Sequence, residues 1–291
     1  MPDRVNMVRT VDPAATHATP ALLAVRDRLL VLLAFSSGMY EAICFLSFGK
    51  VFTAFQTGNI VFLGVGAAGT RPPAGPDPIS VVVSLVTFAA GAVLAVQILK
   101  AFDGDEEVDD DNVFLVWPRR VSVALGVVLL IQVAFFAVWV TTSPSNVVTY
   151  IMLGLNAFGM GLQMNTIRSL HVPAISTTAA TATFISFASG LAPWTHTGPA
   201  ARRMAGVLVS MVVGALVADW MLSHAHPYAP LVPVVVIAFV IVVAWIVLKQ
   251  EPAPAQPVIS AFLLGEQDTD GQNRPAAQPV TPQPANEPPA R

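Results

Sequence analysis

Charge is what this sequence has least of. Only 11% of its 291 residues are charged, 54% are hydrophobic, and mean hydropathy is +0.65. A soluble domain carries about 25% charged residues, enough to cover a globule with solvated side chains. The shortfall argues against a water-soluble domain and makes lipid the expected solvent. A basic excess is missing as well: the net charge is −3, so nothing points to nucleic acid. The single cysteine, Cys44, excludes an intrachain disulfide framework and a Cys-based zinc site, and in its apolar run it reads as a small packing residue. No Walker loop, nucleophile elbow or HExxH helix is present, which argues against a pump with its own nucleotide site and against the commoner membrane hydrolases. His224 and His226 have no evident third ligand for a metal. The expectation is a non-enzyme without cofactor or metal.

What the chain does have is apolar runs, eight of them in two sets of four. They cover about Leu29–Phe48, Phe52–Gly69, Ile79–Leu99 and Val121–Val140, then Val147–Ile167, Ala174–Leu191, Met204–Leu222 and Leu231–Leu248. Residues 1–25 have no early apolar core, so no secretory signal is expected and the first run stays as the first span. Both ends, 1–25 and the Pro-rich 250–291, read as disordered tails around a membrane domain at 26–249. The acidic stretch 103–111 (DGDEEVDDD) lacks the ligand spacing of an EF-hand and reads as a solvated linker.

The two sets match weakly but in order. Gly38-Met39 falls on Gly159-Met160, Thr57-Gly58-Asn59 on Thr181-Ala182-Thr183, and Gly91-Ala92 on Gly214-Ala215. This suggests a first repeat at 26–140 and a second at 146–249. Positive charge then bears on topology. If all eight runs span, the eleven Lys and Arg from Arg26 to Lys249 divide six to five between the two sides, which is no bias. If the second and sixth runs enter and leave on one face, nine lie inside and only Lys50 and Arg71 lie outside. The favoured architecture is therefore all-α, with two inverted repeats, six transmembrane helices and two short or re-entrant helices. Inverted repeats with broken segments near the midplane recur in transporters. Eight spanning helices is the alternative. Both models put both tails on the cytoplasmic side of the cell membrane.

Several polar residues interrupt the apolar runs. Glu41 lies past the middle of the first run, where a carboxylate costs about 2.5–3.5 kcal/mol on insertion scales. It reads either as a proton-coupling or cation-binding group, or as a structural carboxyl bonded to a neighbour. Gln56, Thr57 and Asn59 begin the short second run, with Gly58 allowing close backbone approach or a break. Their amides and hydroxyl can contact a small polar solute or act as interhelical glue. Gln163 and Asn165 recur in the second half; two residues apart, they point about 200° from each other on a helix and share a pocket only if the helix breaks. Thr178 belongs to the Thr-rich sixth run and is the remaining candidate.

Ser37-Gly38-Met39-Tyr40-Glu41-Ala42, Gly49-Lys50-Val51-Phe52 and Thr57-Gly58-Asn59 resemble the SG-x-x-D/E-A, G-x-V-F and TGN motifs of the YoaK-like family, bacterial multispanning membrane proteins classed as a domain of unknown function. Gln163, Asn165, Arg168 and Thr177-Thr178 resemble the family's second-half pattern, and the likeness covers about residues 28–248. Family members often have Asp at the Glu41 position and Met at the Gln56 position. Their second-half glycine is replaced here by Ala182. The resemblance implies a polytopic protein of the bacterial cytoplasmic membrane and carries no activity with it. Three functions stay open at this level: a secondary transporter or permease for an unidentified small solute with Glu41 as coupling group, a passive channel, and a membrane scaffold or regulator without transport. The lipid bilayer is the one expected partner; a homo-oligomer is neither required nor excluded.

Overall fold

A computed structural model describes residues 20–69, 75–102, 116–170, 172, 184, 188 and 199–248, the last segment with side chains from residue 202. The acidic stretch 103–111, most of the sixth run and the tail 250–291 lie outside the described residues. The helices are α1 (Pro20–Ser47), α2 (Gln56–Ala67), α3 (Pro78–Ala101), α4 (Arg119–Thr141), α5 (Asn146–Arg168), α6 (Pro199–His224) and α7 (Leu231–Val247), the last preceded by a 3₁₀ turn at His226–Tyr228. There is no strand among the described residues. All of these helices but α2 are long and apolar enough to cross a membrane, α7 when joined with its 3₁₀ turn as His226–Val247. The described residues make an all-α membrane protein with six spans.

The eight-span alternative fails at α2. The run Phe52–Gly69 is long enough to nearly cross, but its first residues are not helical and α2 keeps only 12. That is about 18 Å of helix against a hydrocarbon core of about 30 Å. A second boundary also differs from the sequence reading: α1 starts at Pro20, so residues 20–25 belong to the helix and not to a tail.

Local chemistry explains the helix ends. α1 stops because Gly49 and Lys50 adopt positive φ (80° and 64°), a conformation glycine accepts freely and which reverses the chain. Asp77 caps α3 by accepting from the Ser80 N–H at 3.2 Å, with Pro78 at the first helical position. Ser145 caps α5 by accepting from Val148 N–H at 3.3 Å.

α1 is the central helix: 67% of its most apolar window is buried, against 22–50% for the other spans. Its most extensive partner is α6, and the other extensive pair is α3 with α5. Both pairs approach through glycine. A methyl group on Gly38 would run into the Met211 carbonyl, and one on Gly214 into the Phe35 carbonyl. In the other pair, Gly91 faces the Phe158 carbonyl and Gly161 the Phe88 carbonyl. Without side chains at these points the backbones touch, which is how helices associate in lipid. The outer faces are apolar: Val86, Leu130, Leu216 and Trp245 are each about 60–70% exposed in the bundle and face the hydrocarbon.

The ends of the bundle differ in charge. Arg203 of α6 pairs with Asp27 of α1 at 3.0 Å, and Lys100, Arg120 and Arg168 line one open cavity of about 500 Å³ at the ends of α3, α4 and α5. α1 and α5 run antiparallel, as the contacts Gln163–Ser37 and Asn156–Cys44 require. The N-termini of α1, α4 and α6 and the C-termini of α3 and α5 therefore share one cation-rich end. Lys50 lies at the other end. There Trp139 stacks on His226 at 4.7 Å and donates to its carbonyl at 3.1 Å.

Candidate functional site

The site starts from an accounting problem. After α1 ends, residues 51–55 run back into the bundle without helical hydrogen bonds, to the depth of Glu41. α2 then climbs back out, and Gly66 near its end lies against Pro78 at the start of α3. Non-helical backbone at that depth has no water to bond, so protein must satisfy it.

Glu41 satisfies most of it. Its carboxylate accepts from the Thr53 N–H (3.2 Å to each oxygen), the Ala54 N–H (2.8 Å), the Phe55 N–H (3.4 Å) and the Thr53 hydroxyl (2.9 Å). These donors open α2, where the helix dipole also favours an anion. Hydrogen bonds to a charged group contribute about 1.5–3 kcal/mol each, which offsets the burial of a side chain whose residue is 6% exposed.

Asn59 supplies the rest. Its Oδ1 accepts from the Phe52 N–H (3.1 Å) and its Nδ2 donates to the Phe52 carbonyl (2.6 Å) and to Gln56 Oε1 (2.8 Å). Gln56 Nε2 donates to the Thr53 carbonyl (2.9 Å) and to Ser84 Oγ on α3 (3.2 Å), and Ser84 donates to Phe52 (2.6 Å). Gly58 leaves room for the Phe52 ring, which a methyl there would meet at 2.8 Å. Thr57 is exposed. Thus Glu41, Gln56, Gly58 and Asn59 come together, and what they hold is their own backbone.

The network extends beyond these residues. Asn156 of α5 donates to Thr53 Oγ1 (2.8 Å) and to Cys44 Sγ (3.0 Å), and Gln132 of α4 donates to Asn156 Oδ1 (3.0 Å). Gln163 donates to Ser37 Oγ (3.0 Å) on α1, while Asn165 donates to the Ala92 carbonyl (2.9 Å) on α3. α5 is unbroken through both, so these two amides serve different neighbours. Thr178 lies outside the described residues. Thr53, Ser84, Gln132 and Asn156 were not singled out by motif. Gln132 and Asn156 nevertheless carry the signal that marks Glu41, a polar side chain midway along an apolar span. Among the described residues no three His, Cys, Asp or Glu side chains are grouped to hold a metal.

Six spans and a short helix that packs on α3 and is clamped at its start by a carboxylate define the class: a polytopic α-helical membrane protein with broken backbone at membrane depth. Residues 29–244 match the family described as "Protein of unknown function (DUF1275)", and the chain belongs to that family. It is also similar to the UPF0700 transmembrane protein YoaK of Bacillus subtilis (strain 168), with 28% identity over 163 residues. That match covers 56% of this chain and 66% of the relative, just under two thirds of its length. No solved structure matches.

Proposed function

We propose that the protein is a secondary transporter or permease for a small uncharged solute, coupled to protons through Glu41. The observation that carries this reading is the suspension of residues 53–55 from one buried carboxylate. An ionised carboxylate only accepts, and every one of these contacts is a donor. A proton on Glu41 turns an O–H to the Thr53 hydroxyl oxygen and weakens the same carboxyl oxygen as acceptor for the Thr53 and Ala54 N–H groups. The hold on residues 53–55 weakens, and the short helix is free to move away from the bundle. A proton and a moving segment are thereby linked at one group, as proton-coupled transport requires.

The packing supports two inverted halves. Adding 123 to each residue number carries Gly38 and its contact Met211, read as Phe88 plus 123, onto Gly161 and Phe88. The same shift carries Gly91 onto Gly214, and its contact Phe158 corresponds to Phe35. One register thus relates the α1–α6 contact to the α5–α3 contact. In this register the counterpart of Gly38 is Gly161, two residues beyond the Gly159 suggested by sequence alone, because Gly161 is the one pressed against a backbone carbonyl. In this reading the cation-rich end is cytoplasmic, both tails lie there, and the membrane is the bacterial cytoplasmic membrane.

The test is flux in proteoliposomes that hold a pH-sensitive dye, challenged with short polyols, amides and sugars. Solute-dependent acidification that Glu41→Gln abolishes is the expected result. Solute entry without proton movement makes the protein a channel, and no entry of any probe leaves the scaffold reading. Sidedness is tested by labelling Asp109→Cys in a Cys44→Ala background in intact cells, where reaction only after permeabilisation is expected.

A further inference from the structure

Among the described residues three fully buried polar atoms have no hydrogen-bond partner: the Tyr40 hydroxyl, Gln132 Oε1 and Gln163 Oε1. Buried polar atoms are nearly always paired, so each such atom asks for a ligand, a water or an ion. The three belong to one junction. Gln132 lies against Gly159, where a methyl group would meet its Nε2 at 2.8 Å. Gln163 is one turn along α5 from Gly159 and bonds Ser37; Tyr40 is one turn along α1 from Ser37. Tyr40 in turn packs edge to face on Phe135 (5.7 Å), one turn along α4 from Gln132. The circuit closes around Gly159, where α1, α4 and α5 meet.

The sense of both amides is set by their other bonds. Ser37 gives its proton to the Leu33 carbonyl (2.9 Å), so it can only accept from Gln163, whose Nε2 must face it. Gln163 is left presenting a carbonyl oxygen, whatever happens elsewhere. Gln132 is set by a longer chain. Thr53 spends its hydroxyl proton on ionised Glu41 and so accepts from Asn156 Nδ2. Asn156 therefore turns Oδ1 toward Gln132, which answers with Nε2 and presents Oε1 to the junction. With a proton on Glu41 the chain runs the other way. Glu41 donates to Thr53, Thr53 donates to Asn156, both amides turn over, and Gln132 presents its NH₂. The titratable groups beside Glu41 are Tyr40 and Cys44 on its own helix; residues 53–55 face it with N–H groups and the Thr53 hydroxyl, and the amides of α5 and α4 reach it only through Thr53.

We propose that Tyr40, Gln132 and Gln163 form a binding site for a small neutral hydrogen-bond donor, an amide or a short polyol, and that a proton on Glu41 switches Gln132 from acceptor to donor through Thr53 and Asn156. The site rests on the transport reading only for its purpose; binding at it can be measured without transport. Two acceptor oxygens and a phenol, with no free charge among them, suit a solute that donates at least twice.

The experiment uses the full chain in nanodiscs with ¹⁵N-labelled glutamine side chains, with Gln132→Met and Gln163→Met assigning the signals. Urea and glycerol are the probes. Saturable shifts of both signals are expected, with the exposed Gln97 as control, and Gly159→Ala weakens binding about fivefold, the worth of one hydrogen bond. Non-saturable shifts equal to those of Gln97, or none, overturn the site. On titration with acid, the Gln132 signal is expected to move with the carboxyl infrared band of Glu41 while Gln163 stays fixed, and Thr53→Val uncouples them. A Gln132 signal that ignores that band overturns the switch. If binding persists while no solute is transported, the transport reading falls and the site stands; if transport proceeds without these shifts, the site falls alone.

Discussion

Two polar regions sit side by side in this bundle and are built on opposite principles. Around residues 52–56 every backbone N–H has an acceptor: Asn59 for Phe52, Glu41 for the next three, and the Ala54 carbonyl for Gln56. Around Gly159 three side-chain atoms, all fully buried, have none among the described residues. The first region is polar because broken backbone at membrane depth requires it. The second borders unbroken helices that require nothing of it. Polarity in a membrane interior thus has two meanings, and only the unpaired kind is open to a ligand.

Substitutions separate the two. The largest effect is expected from Glu41→Ala, which leaves four donors unanswered inside the bundle and costs about 3–5 kcal/mol, read as loss of folded protein in detergent or as a collapse of thermal stability. Next is Gly161→Ala, whose methyl meets the Phe88 backbone carbonyl and has nowhere to go, at about 2–3 kcal/mol. Gly159→Ala, two residues earlier, meets the end of the flexible Gln132 side chain and touches Ile131 at 3.4 Å, and is expected to cost less than about 1 kcal/mol in the same melting experiment. Asn59→Ala leaves the Phe52 N–H without its acceptor and its carbonyl with Ser84 alone, and costs about 2 kcal/mol. Gln132→Leu is expected to stay within about 1 kcal/mol of the parent, because it removes an unpaired carbonyl together with one hydrogen bond. Equal losses for Asn59→Ala and Gln132→Leu would erase the distinction between the regions.

Much of the fold is legible in hydropathy. Six of the eight apolar runs are spans, picked out by the distribution of Lys and Arg and not by run length, and Gly49-Lys50 marks the break after α1 because few residues other than glycine reverse a chain there cheaply. Glu41 stands out because a carboxylate inside an apolar run is expensive wherever it points. Azimuth is harder to read. Gln56 and Asn59 suggest solute contact equally well whether they face a cavity or their own backbone, and only the path of residues 51–55 decides. Gln132 and Asn156 pass for glue in isolation; their significance lies in being joined to Glu41 through Thr53, a residue in another segment. The partner of α1 is also out of reach of local pattern, since α6 is the fifth of the six spans in chain order.

That last pairing sets the order of events at the ribosome. From the end of α1 to the start of α6 the chain grows by roughly 150 residues, which at about 5–20 residues per second takes roughly 8–30 s. For that interval the glycine face of α1 meets lipid or the insertion machinery instead of α6. The Glu41 side chain can be tied down almost at once, since its donors follow within 14 residues. The newborn first helix therefore neutralises its costliest group early and finds its largest neighbour late. A nascent chain stalled before α6 therefore has its carboxylate already sheltered and its glycine seam still open.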